Sequence, residues 1–111
     1  MSIDADALIS LLEGLDPWTT YRVPFVAAEL RKCGLAVTEM IKGNGLIVDG
    51  RRIEVIQPEW GEPGIYSLHL LSTVYEIITG QAARSEMEGR GFWYRDVLTG
   101  LKASYKKKDE L

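Results

Sequence analysis

The apolar positions of this chain repeat at helical spacing, then alternate, then return to helical spacing, and those changes mark its elements. Ala5, Leu8, Leu11, Leu12 and Leu15 lie on one helical stripe behind Ser2 and Asp4, either of which can cap the first turn. Asp16-Pro17 closes that helix, because the residue before a proline is pushed out of the helical region. A second helix begins at Pro24, whose fixed φ suits the first helical position, and is expected to turn Phe25, Ala28 and Leu30 inward. It stops at Cys33-Gly34, where glycine accepts the left-handed terminal conformation. The WTTYRV between the helices reads as a loop, with Trp18 and Tyr21 plugging the core.

From Leu35 the period becomes two. Leu35, Val37, Glu39 and Ile41 alternate with Ala36, Thr38 and Met40, and Lys42-Gly43-Asn44-Gly45 forms a loose turn. Residues 46–48 and 51–57 follow as strands around Asp49-Gly50, among the strongest short hairpin signals. PEWGEPG is a loop, since two prolines and two glycines leave no room for regular structure. Leu68, Leu71, Tyr75 and Ile78 fit a helix capped by Ser67 and closed by Gly80, while the β-branched Val74, Ile77, Ile78 and Thr79 leave open a passage into strand near Val74. A last helix is expected over 92–105, with Trp93, Val97, Leu101 and Tyr105 on one stripe. This order predicts an α+β fold: N-terminal helices, a three-stranded antiparallel meander over about 35–57, and C-terminal helices packed on the sheet.

The two-residue turn also fixes register, since Val48 must face Arg51. Counting back, Ile47 faces Arg52, Leu46 faces Ile53, and Gly45 faces Glu54. Alternation then puts Leu46, Val48, Ile53 and Val55 on one apolar face, fit for a core. The other face carries Gly45, Ile47, Arg52, Glu54 and Ile56, with Glu54 opposite a residue that has no side chain.

A helix, a glycine, and then strand, strand, turn and a strand ending in Glu54-Val55-Ile56 resembles the restriction-endonuclease-like superfamily, the PD-(D/E)XK nucleases, over residues 24–78. The resemblance rests on spacing, and it implies a helix followed by three strands, another helix and a final strand. It also implies two facing carboxylates that hold Mg²⁺ and a lysine that helps position the attacking water. Carried over, Glu54 takes the place of the second acidic ligand, Gly45 that of the aspartate and Ile56 that of the lysine, so one of three catalytic positions matches. Asn44 points to the opposite face in this register, Asp49 lies in the turn, and Gln57 is one residue out of phase. A hard divalent cation needs several oxygen ligands, which one carboxylate beside glycine and isoleucine does not supply. Two expectations follow: a nuclease-like fold that binds without cutting, or an ordinary sheet with Arg52 and Glu54 on its surface.

Composition narrows the classes. A chain of 111 residues, 46% hydrophobic and 26% charged, suits one globular domain with a core of its own. A single cysteine, Cys33, excludes an internal disulfide and any multi-cysteine zinc site, and a single histidine argues against a histidine-rich centre, so neither metal nor cofactor is expected. The net charge of -3 speaks against nucleic-acid binding driven by bulk charge. Residues 1–64 carry 6 basic and 10 acidic side chains and residues 65–111 carry 7 and 6, with Lys106, Lys107 and Lys108 together near the end. No segment approaches the ~18 consecutive apolar residues of a membrane span, so no membrane partner is expected. MSIDADALIS is acidic where a secretory signal is basic. The final Lys108-Asp109-Glu110-Leu111 spells an endoplasmic-reticulum retrieval signal, but without an entry signal it reads as a solvated charged tail, and the expected compartment is the cytoplasm.

Other chemistry is sparse. His69 with Ser67 and Ser72 lacks the Gly-x-Ser-x-Gly elbow of a hydrolase nucleophile and reads as a histidine on a helix surface or hydrogen-bonded in the core. Gly43 and Gly45 fall short of a phosphate loop and read as turn glycines. In GRGFWYRDVLTGLKASYKKK, Phe92, Trp93 and Tyr94 stand between Arg90 and Arg95, a mix that can stack on bases, pack a terminal helix or meet a protein. Trp60, in a loop between two prolines, is a candidate interface anchor. A winged-helix DNA-binding module would have to rely on Arg31, Lys32, Arg51 and Arg52 in an acidic half. The expected function is therefore that of a small non-catalytic binding protein with a macromolecular, most plausibly protein, partner: an inhibitor, an immunity or phage-encoded protein, or a regulatory subunit. Its candidate contacts are Trp60, Arg52, Glu54, Trp93, Tyr94 and Arg95. A Mg²⁺-dependent nuclease using Glu54 and the winged-helix module are the alternatives.

Overall fold

Asp4 begins the first helix in the way its side chain allows: Oδ1 accepts the Ala7 amide at 3.0 Å, satisfying one of the amides a helix start leaves open. The computed structural model describes residues 3–80 and 98–103. Helix α1 (Ala5–Glu13) turns Ala5, Leu8, Ile9 and Leu12 inward. Strand β1 (Thr20–Tyr21) leads into helix α2 (Val23–Lys32), which closes at Cys33 with Gly34 left-handed at φ 88°. The Asp4 amide donates to the Cys33 carbonyl at 2.8 Å, fastening the start of α1 to the end of α2.

The meander is antiparallel in the order β2 (Val37–Glu39), β3 (Gly45–Val48), β4 (Arg51–Glu54), with one 3-10 turn at Ile41–Gly43. Asp49 and Gly50 both have positive φ, 49° and 82°, as the mirror-image hairpin turn demands. The register is the one counted from that turn: Val48 faces Arg51, Ile47 faces Arg52, Leu46 faces Ile53, Gly45 faces Glu54. A second, two-stranded sheet pairs β1 with β5 (Ile65–Tyr66), and a bridge between Ile56 and Gly64 links it to the end of β4. Helix α3 (Ser67–Thr79) then runs to a left-handed Gly80. The helical reading of 67–79 holds without a strand near Val74, because Leu68, Leu70, Leu71 and Val74 are all buried on one helix.

The helices cover one face of the meander, as the α+β reading expected. Leu8, Leu12, Leu30, Leu46, Ile65 and Leu71 are fully buried there, each contributing roughly 1.5–3 kcal/mol at most. Residues 98–103 are helical, with Leu98 and Leu101 in the same core and Lys102 paired to Glu13 at 2.9 Å. The predicted stripe residues Trp93, Val97 and Tyr105 lie outside the described residues.

Several local expectations need correction. Phe25 and Ala28 face solvent, while Val23, Val26, Ala27 and Leu30 make the buried stripe of α2. The helical phase that buries Val23, Val26, Ala27 and Leu30 leaves Phe25 off the stripe, where its ring stacks on Tyr21 at 5.9 Å. Trp18 is exposed, whereas Tyr21, a strand residue opposite Ile65, is partly buried against the core as expected. Ile41 leaves the strand for the 3-10 turn and is 83% exposed. Ser67 is the first residue of α3, and it is Tyr66 that occupies the capping position.

Candidate functional site

Two regions hold the residues singled out by the sequence. On the outer face of the hairpin, Glu54 extends into solvent and meets Arg52 at 3.5 Å, with side chains 70% and 64% exposed. Facing it, Gly45 is buried under backbone: a Cβ there would overlap the Ile53 carbonyl oxygen and stand 3.0 Å from Glu54 Cα. Glycine is thus what lets the two strands approach, and a side chain at that position would force them apart. Ile56 is half-buried and bridges Gly64, and the Gln57 amide makes only long contacts of 3.5 Å to the Pro58 and Gly61 carbonyls.

Met40, Asn44, Arg52, Glu54 and Val55 line a hollow of about 360 Å³ beside the strand end. Its donors are one carboxylate already paired to a guanidinium, and one amide. No group of three His, Cys, Asp or Glu placed to hold a metal occurs among the described residues. A divalent ion would find a single anionic ligand here, well short of the six or so oxygens such ions gather. The hollow offers polar groups for hydrogen bonding, but among the described residues no second acid lines it to activate a water.

The second region is built by the loop after β4. Trp60 is 58% exposed, and its indole rests against Tyr66 with ring centroids 6.0 Å apart and planes at 50°. Tyr66 in turn takes His69 edge-on at 5.2 Å, so strand β5 and the first turn of α3 brace the loop residue. The loop is held at its far end as well. Thr20 Oγ1 donates to the Glu62 carbonyl at 2.6 Å, and Arg22 reaches the Glu62 carboxylate at 3.7 Å. Gly64 allows the close pairing, since a Cβ there would lie 2.5 Å from the Tyr21 carbonyl oxygen. An exposed tryptophan thus rests on one neighbouring ring, a contact that lowers the side-chain entropy left to lose on binding.

The contact of Tyr66 with Trp60 has no signal in the sequence, because a two-residue strand is too short to show a period and the loop before it has none. Glu59 and Glu62, in contrast, flank Trp60 visibly in PEWGE, and both are exposed.

The remaining candidates are placed as follows. His69 is exposed on α3, and the Ser67 and Ser72 hydroxyls are buried without a hydrogen-bond partner among the described residues, so no nucleophile–base pair forms. Cys33 is buried at 4% exposure; burial, then the Asp4 and Glu29 carboxylates, push its thiol pKa up and keep it protonated and unreactive. Each basic residue offered for a DNA module has a partner within the chain: Arg31 donates to the Val37 carbonyl, Lys32 pairs with Glu29, Arg51 with Asp49 and Arg52 with Glu54. Helix α2 is followed by the β2–β4 meander. Trp93, Tyr94 and Arg95 lie outside the described residues. No described helix is long and apolar enough to cross a membrane. Set beside known proteins, the chain matches no family model, no curated protein and no solved structure.

Proposed function

We propose that this chain is a non-catalytic binding protein that engages another protein through the surface around Trp60. The observation that carries the reading is the braced tryptophan: a large, mostly exposed indole held by Tyr66 in a loop pinned at Glu62. Tryptophan and tyrosine dominate interface energetics because they bring much contact area with few torsions to freeze. The lone Glu54 opposite Gly45 supports the non-catalytic half of the reading, since it has no facing acid. Inhibitor, immunity protein and regulatory subunit are the roles that fit a small acidic chain of this kind, because an acidic surface steers it toward a basic partner.

Affinity capture with crosslinking from the native cells, followed by titration of the purified partner, tests this. Trp60→Ala is expected to weaken binding by about 2 kcal/mol or more, roughly thirtyfold, while leaving the circular dichroism spectrum unchanged. Equal binding by wild type and Trp60→Ala would sink the Trp60 surface. Cleavage of DNA or RNA with Mg²⁺ or Mn²⁺ that disappears in Glu54→Ala would replace the whole reading with the nuclease.

A further inference from the structure

We propose that Trp60, Glu59 and Glu62 form a receptor for an arginine side chain of the partner, an inference that rests on the protein-binding reading of the Trp60 surface. An aromatic face attracts a guanidinium that lies within about 6 Å of the ring centroid. Trp60 turns more than half of its surface to solvent, and the exposed carboxylates of Glu59 and Glu62 flank it along the loop. A planar guanidinium answers both features at once, stacking on the indole while its fork of N–H groups donates to carboxylate oxygens; a compact ammonium stacks less well.

The same rim already draws one guanidinium. Arg22 Nη2 stands 3.7 Å from Glu62 Oε2, with the two side chains 81% and 79% exposed, a loose pair that an incoming arginine can displace. With Arg22 counted against Glu59 and Glu62, the rim keeps an excess negative charge. That sign selects a basic protein and repels a phosphate backbone, so a basic peptide segment is the occupant and nucleic acid is not. The Thr20 bond to the Glu62 carbonyl and the Tyr66 ring each anchor one point of the loop.

The experiment uses the full chain labelled with ¹⁵N and an acetylated, amidated Gly-Arg-Gly-Arg-Gly peptide as the probe. The readout is the Trp60 indole N–H resonance, assigned by its loss in Trp60→Phe. The arginine peptide is expected to shift it, and the isosteric uncharged citrulline peptide is not. Replacing both carboxylates (Glu59→Gln with Glu62→Gln) should weaken the response about fivefold, whereas Arg22→Ala should strengthen it about twofold by removing the internal competitor. Equal responses to arginine and citrulline, or indifference to the double glutamine variant, overturn the receptor. A shift of the same resonance by a ten-residue oligothymidylate at about 0.15 M salt would also overturn it, in favour of nucleic acid. If the native partner is lost on Trp60→Ala but unaffected by the glutamine variant, the binding surface stands and only the arginine receptor falls.

Discussion

The hairpin end and the Trp60 loop are built alike and lead to opposite chemistry. Each depends on a glycine where two backbones meet: Gly45 against Ile53 and Glu54, and Gly64 against Tyr21. At the hairpin the close approach leaves no room for a side chain facing Glu54, so the carboxylate is confined to a surface pair with Arg52. At the loop the close approach lets β1 and β5 pair, and Tyr66 of β5 also meets Trp60. One glycine leaves Glu54 with no side chain facing it, and the other lets β5 pair closely with β1 beside the Trp60 loop. Exposed residues thus acquire a use only where a neighbouring element braces them.

The largest effect should come from the buried side of the hairpin, against which both regions are measured. Leu46→Ala is expected to cost about 2–5 kcal/mol in urea unfolding, while Ile47→Ala, one residue on and facing out, stays within about 0.5 kcal/mol. Comparable losses at the two positions would break the assignment of faces. Next come the glycines. Gly45→Asp, which would supply the facing carboxylate while Ile56 still stands at the lysine position, should destabilise by about 1–3 kcal/mol and yield no Mg²⁺-dependent cleavage. Gly64→Ala should cost a similar amount and also reduce binding at Trp60, since it pushes β5 away from Tyr21. Gain of cleavage in Gly45→Asp would erase the contrast between the two regions.

A smaller effect follows from Cys33, buried at the end of helix α2. Because folding raises its thiol pKa, the folded chain holds that proton more tightly than the unfolded chain does. The associated stability is therefore fully present below the ordinary thiol pKa and falls as pH rises above it. Thiol-disulfide titration of the native protein should be slow at pH 8 and immediate in denaturant; rapid native labelling would place Cys33 at the surface. The smallest effect belongs to the outer pair. An Arg52→Ala and Glu54→Ala double-mutant cycle should give a coupling of about 0.2–1 kcal/mol, weakened by salt. A larger coupling would mean that the hollow beside Glu54 is more organised than a solvated surface pair.

Much of the fold was legible because local rules are strong where they act alone. Asp49-Gly50 can turn in few ways, and a two-residue turn fixes every pair behind it, so the facing of Gly45 and Glu54 could be counted before it was seen. Helix α2 ended at Gly34 for the same kind of reason. The inward stripe of α2 was misjudged at Phe25 because hydrophobicity says that a ring wants cover and does not say which element supplies it. Here Tyr21, a strand residue, stacks against it at the surface.

The chain by itself determined the helices, the meander, its register and the absence of a second carboxylate opposite Glu54. These are set by period, by turn chemistry and by residue identity, all of which act within a few residues. Tertiary structure decided the pairing of Thr20–Tyr21 with Ile65–Tyr66, and the ring contacts of Tyr66 with Trp60 and with His69. That pairing joins segments more than forty residues apart through two-residue strands, too short to leave a periodic trace. Only burial of Ile65 and the close approach at Gly64 select it, and both exist only once the core has formed.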